Sequence, residues 1–140
     1  MNREISTFQA KCHQCSASFS HPSLGDFSYG ENLFFTGDGK HSVYANAFDE
    51  FPKKVRQLLG DEDPSQFWNV LASLADPISE QPLIQKLVCP HCGSTSLESW
   101  NGNRVGSLSV PPASFQGSSQ LNDNDLSRRI QKALGNDVPA

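Results

Sequence analysis

The chain has 140 residues, of which 36% are hydrophobic, with 10 glycines, 9 prolines and a formal net charge of -4. That length suits one domain with one core, and so modest an apolar fraction makes a metal staple useful. No run approaches the roughly 20 apolar residues that cross a bilayer, and Arg3, Glu4 and Lys11 occupy the stretch where an export signal needs apolar residues, so a soluble cytosolic protein without a membrane partner is expected.

In chain order, residues 5 to 20 (ISTFQAKCHQCSASFS) place a Cys-x-x-Cys between two short stretches of strand-like alternation. Residues 32 to 48 follow, with aromatic and β-branched runs on either side of Gly37-Asp38-Gly39, residues that tolerate the positive φ of a hairpin turn. Phe51, Val55, Leu58 and Leu59 then recur at helical spacing, with Asp49 as N-cap and Gly60 as terminator. A second short helix is expected from Pro64, capped by Asp63 and lined by Phe67, Val70, Leu71 and Leu74, until Asp76-Pro77 stops it.

Residues 83 to 100 (LIQKLVCPHCGSTSLESW) repeat the plan of strand, cysteine pair, strand, with Gly93 allowing a tight turn. Asn101-Gly102 favours a two-residue hairpin turn leading into a strand that ends at Val110 before Pro111-Pro112. The polar stretch ASFQGSSQ reads as a linker, because little in it offsets the entropy of ordering. Leu126, Ile130, Ala133 and Leu134 then share one helical face, capped by Asn122 or Asn124 and ended by Gly135, and a helix this short must dock on something to persist. The expected organisation is a domain over 1–110 with an insertion at about 21–82, a linker over 111–120, and a C-terminal helix and tail over 121–140.

The cysteines carry the chemistry. A cytosolic setting disfavours structural disulfides, and Cys12, Cys15, Cys89 and Cys92 form two Cys-x-x-Cys pairs, the grouping that closes a tetrahedral zinc site. Cys89-Pro90-His91-Cys92-Gly93 matches the C-P-x-C-G knuckle of zinc-ribbon proteins, and Lys11-Cys12-His13-Gln14-Cys15 a looser first knuckle, so about thirty residues of the chain resemble that family. The resemblance implies an α+β fold of zinc-ribbon-like antiparallel hairpins clasping one structural zinc ion, here with an inserted β-hairpin and two short helices and with a C-terminal helix on a linker. The 73 residues between Cys15 and Cys89 exceed what compact zinc ribbons place there, so the insert carries the protein's individuality.

Other chemistries fit the residues less well. Cys89-Pro90-His91-Cys92 has the letters of certain thioredoxin-like oxidases, but Gly93-Ser94-Thr95-Ser96 is a poor helix start and no βαβ pattern surrounds it. None of His13, His21, His41 or His91 is followed two residues later by the Glu of a zinc deaminase, and four cysteine ligands leave no position for a catalytic water. No phosphate-binding or hydrolase motif is present, and a non-enzyme is expected.

From Asp26 to Glu80 the segment holds ten acidic residues against four basic ones, and four metal-bound thiolates would add about two further negative charges. A phosphate-binding surface needs the opposite sign, and Arg128, Arg129 and Lys132 form the only clear basic cluster outside the core. The leading expectation is a zinc-stabilised protein-binding module with a basic protein as partner, a profile shared with immunity proteins that neutralise basic toxins. Asp61, Glu62, Asp63 and Trp68 are its candidate partner-binding residues, with Trp100 a second surface anchor. The alternative is a nucleic-acid accessory protein, the work that zinc ribbons often do.

Overall fold

The computed structural model describes residues 2–24, 30–60 and 64–135. The described elements run β1 (Arg3–Cys12), β2 (Ser18–Pro22), β3 (Glu31–Thr36), β4 (Ser42–Asn46), α1 (Glu50–Leu59), α2 (Pro64–Leu74), β5 (Leu83–Ile84), β6 (Leu97–Ser99), β7 (Arg104–Val110), α3 (Gln116–Ser119) and α4 (Asp123–Ala133). They form a mixed fold of two antiparallel sheets and four helices.

The layering follows from β3. Its run Leu33-Phe34-Phe35 is buried throughout, and because successive strand residues point to opposite faces, such a run needs cover on both sides. On one side Phe34 packs with Val43 and Ala45 of β4, Val55 and Leu59 of α1, Phe67, Val70, Leu71 and Leu74 of α2, and Leu126 and Ile130 of α4. On the other, Leu33 and Phe35 meet Ile5 of β1 and Val110 of β7. The sheet β4-β3-β5 is therefore a middle layer between the helices and the sheet built on β1.

That second sheet hangs on one long strand. β2 pairs with the second half of β1, Thr7 opposite Pro22 through Lys11 opposite Ser18, while the other side of β1 is shared by β6 and β7. β6 and β7 do not face each other: both run antiparallel to β1, Leu97 opposite Cys12 and Val110 opposite Arg3. Asn101-Gly102 thus corrects the expected hairpin turn to a bulge within one interrupted strand. Asn101 takes a positive φ of 54°, and Gly102 donates to the Gln9 carbonyl at 3.0 Å, so the dipeptide supplies positive φ without reversing the chain.

The bulge is held by His21, which is buried. Its Nδ1 lies 3.0 Å from the Pro22 carbonyl and its Nε2 accepts the Asn101 N–H at 3.1 Å, an arrangement only the neutral ring can make. Burial lowers the pKa of His21, opposed by the bond to Pro22. Because the folded pKa lies below the unfolded value of about 6.5, this contribution is complete above that value and is lost as pH falls through the folded pKa. The urea midpoint of the wild type should therefore drop from pH 7 to pH 5.5 by more than that of His21→Gln, in paired equilibrium titrations.

The helices end as the sequence indicates. Gly60 at φ 74° closes α1, and Asn122 caps α4 by accepting the Asp125 N–H at 2.8 Å. Asp49 occupies the N-cap position of α1 with extended backbone but makes no side-chain cap bond.

The stretch expected as a linker is tied down. Tyr44 donates to the Pro111 carbonyl and accepts from Ala113, and the Asp76 N–H reaches the Ser114 carbonyl at 2.7 Å. The Asp76 carboxylate also accepts the Ser114 hydroxyl and the N–H groups of Gln116 and Gly117, and buried Ser118 donates to the Leu74 carbonyl. The ordering comes from partners some forty residues away, which the local composition could not reveal.

α4 docks on its own chain, against α1 and α2, with Leu126 and Ile130 fully buried and Lys54 paired to Asp123 at 2.8 Å. Ile130→Ala is expected to cost about 3 kcal/mol, the transfer and cavity cost of a core aliphatic side chain, read as a lower urea midpoint with unchanged slope.

Candidate metal centre

The first cysteine pair lies at the turn from β1 to β2 and the second between β5 and β6. Both turns are built alike. In the first, the Cys12 N–H donates to the Ala17 carbonyl at 2.9 Å and Ser16 N–H returns to the Cys12 carbonyl at 3.2 Å. In the second, Cys89 N–H donates to Ser94 and Gly93 N–H returns to Cys89, each at 2.9 Å. The residue after the second cysteine has positive φ in both, 61° at Ser16 and 79° at Gly93. Gly93 announced its turn in the sequence, whereas Ser16 gave no such signal.

Their surroundings differ. β1 and β2 belong to one sheet, but β5 pairs with β3 in the middle layer and β6 with β1 in the outer one. The second knuckle therefore bridges the two sheets instead of capping a hairpin of its own, which corrects the expectation of matched halves. The second pair leads into β6 and not into a helix, so it lacks the helix N-terminus that activates a redox thiol.

The four sulfurs converge, all within 4.8 Å of one another. Cys12 Sγ lies 3.5 Å from Cys92 Sγ, and Cys15 Sγ 3.7 Å from Cys89 Sγ. Disulfides need about 2.0 Å, whereas a tetrahedral ion with metal–sulfur bonds near 2.3 Å separates its sulfurs by about 3.8 Å. Cys12 and Cys89 are buried, Cys15 and Cys92 exposed. The set can hold one metal ion, and tetrahedral sulfur coordination suits zinc or iron.

Peptide N–H groups tune the sulfurs. The backbone hydrogen bond from Cys15, opposed by burial and helped by Cys92 and Gln14, lowers the Cys12 pKa to about 7. At Cys92 the Ser94 N–H also favours the thiolate, but the neighbouring sulfurs and burial outweigh it and push the value up to about 12. A cation bound among the sulfurs would favour their thiolate forms.

The insert is fastened to this centre through its hairpin turn. Gly39 has φ 71°, and a Cβ there would lie 2.6 Å from the Val88 carbonyl oxygen and 3.0 Å from Pro90. Asp38 fixes the turn, accepting from Thr36 Oγ1, the Lys40 N–H and Gln81 Nε2, while its own N–H donates to Gln81 Oε1. The Thr36 hydroxyl, then the Lys40 N–H, hold the Asp38 pKa down to about 2 against burial, with Gln81 and His41 assisting. Gln81 and Gly39 are the site-positioning residues that sequence reasoning missed, because their partners lie far along the chain.

His13 and His91 are exposed and sit within the knuckles, and His21 serves the bulge, so the four-cysteine cluster contains no histidine. Of the residues expected to meet a partner, Asp61, Glu62 and Asp63 lie outside the described residues. Trp68 is half-buried, edge-on to Phe67 at 5.0 Å and to Phe34 at 6.2 Å. It also lines a cleft of about 740 Å³ with Phe48, Lys53, Arg56 and Gln57. Trp100 is 60% exposed. Among the described residues, no helix is long and apolar enough to cross a membrane. No protein-family model, curated protein or solved structure matches the chain.

Proposed function

We propose that the chain is a cytosolic, non-enzymatic protein-binding module in which Cys12, Cys15, Cys89 and Cys92 hold one structural zinc ion. The observation that carries this reading is the convergence of four sulfurs from two turns of the same construction. Four cysteine ligands saturate a tetrahedral ion, so the metal keeps no position for substrate or water. Zinc, without redox chemistry, suits a site whose work is to join two sheets.

On this reading the partner is met by the insert, through the acids at 61–63 and through Trp68. Its net negative charge favours a basic protein, as in an immunity-type pair. Two of the insert's ten acids, Asp38 and Asp76, are spent on turns of the chain itself, which leaves eight to meet a partner, three of them consecutive at 61–63. Tagged protein recovered from nuclease-treated native lysate should bring down one stoichiometric protein, and Trp68→Ala should weaken its capture. Salt-sensitive recovery of nucleic acid in its place would establish the nucleic-acid alternative and sink this one.

A further inference from the structure

The insert is acidic, yet its few cations are gathered in one place. Of the four basic residues between Asp26 and Glu80, three lie in α1, at Lys53, Lys54 and Arg56. Lys54 is neutralised by Asp123, whereas Lys53 and Arg56 have no ion-pair partner among the described residues. Three positions apart on a helix, these two share a face, and both line the cleft of about 740 Å³ beside Trp68. Glu31 lines it too, but Arg3 pairs with its carboxylate. Lys53 and Arg56 are therefore the uncompensated charges among the cleft's described residues.

The side chains of this cleft are held in place. The Arg56 guanidinium lies 4.1 Å from the centroid of the buried Phe67 ring, a contact that uses the face of the planar group and leaves its N–H edge for an acceptor. Phe48 is 56% exposed, and its ring is seated against Gly30, where a Cβ would lie 2.4 Å from Phe48 Cε2. Trp68 is fixed edge-on to Phe67 and Phe34. Two aromatic side chains and two cations thus line one space, of a size that suits a small molecule.

We infer that this cleft binds a nucleoside monophosphate, with the phosphate against Lys53 and Arg56 and the base against Phe48 and Trp68. A phosphate monoester carries about 1.5 to 2 negative charges near neutral pH, which matches two cations, whereas a carboxylate offers a single charge. Arginine's fork meets phosphate oxygens in pairs, and lysine adds a point charge. Every base has a π-face for an aromatic ring, and the Gln57 amide, which also lines the cleft, has both a donor and an acceptor for its edge. Inorganic phosphate would leave the aromatic walls unused, and a nucleic-acid strand would find only two cations for its many phosphates. The site takes an anion, so it is separate in chemistry from the acids at 61–63 and does not depend on a basic protein partner.

NMR titration of the purified, metal-loaded full chain with the monophosphates of adenosine, guanosine, cytidine and uridine tests this. At least one should bind saturably with a Kd below about 1 mM, shifting the Trp68 indole N–H more than that of Trp100, which lines a different cleft. The matching nucleoside and inorganic phosphate should each bind at least about tenfold more weakly. Lys53→Gln and Arg56→Gln should each weaken binding about tenfold with wild-type circular dichroism. Arg56 covers Phe67, so should that variant fail to fold, Lys53→Gln, at an exposed position, carries the test. No saturable binding of any of the four up to about 5 mM, undiminished binding in a folded variant, or inorganic phosphate binding as tightly as the nucleotide overturns the inference. A single-stranded hexanucleotide that binds more than about tenfold tighter than the mononucleotide also overturns it, by assigning the cleft to a strand.

Discussion

Serine at Cys89 is expected to leave the chain unfolded or aggregated at ordinary temperature. Cys89 is fully buried, and its knuckle is the link that leaves the middle sheet at β5 and enters the outer sheet at β6. A hydroxyl there is a poor zinc ligand in a site with little water. Structural zinc contributes about 10–16 kcal/mol of apparent folding free energy in small zinc-binding peptides, against a total of about 5–15 kcal/mol for a typical domain. Losing even half of it removes most of the margin. Thermal melting by circular dichroism, with light scattering, should show no cooperative transition. Cys15→Ser, at an exposed position, should be milder.

Gly39→Val should be the next most damaging change, though it touches no ligand. A β-branched residue at φ 71° is strained by about 1–2 kcal/mol. Its Cβ would also press on the Val88 carbonyl and on Pro90, and forcing a packed backbone to shift adds about 1–3 kcal/mol. Because the displaced segment is the second knuckle, the loss of about 2–5 kcal/mol should come with weaker metal retention. A competition titration against a chromophoric chelator should show the metal leaving Gly39→Val at lower chelator concentration than it leaves the wild type. Equal retention would mean that the turn and the knuckle are not coupled.

Signals carried by neighbours in sequence were the legible ones. Gly37-Asp38-Gly39 marked the β3–β4 turn, Pro64 and Gly60 the helix boundaries, Asn122 a cap, and the paired cysteines a cluster that the fold brings within 4.8 Å. Each depends on a local backbone preference or on a fixed ligand spacing. What could not be read depended on distant partners. Asn101-Gly102 supplies positive φ equally well to a turn or a bulge, and only pairing of both flanking strands with β1 decides between them. Residues 111–120 are polar and small, yet Asp76 and Tyr44 order them. Ser16 adopts the conformation that glycine holds in the second knuckle, a substitution that hides the likeness of the two turns.

On the proposed function, one zinc ion joins two cysteine turns separated by 73 residues of chain. Elemental analysis of the purified wild type, paired with thiol titration, tests it most directly. The expected result is about one zinc per chain, with all four cysteines slow to react until a chelator removes the metal. Substoichiometric zinc, with thiols that oxidise and reduce reversibly while the fold persists, would contradict it.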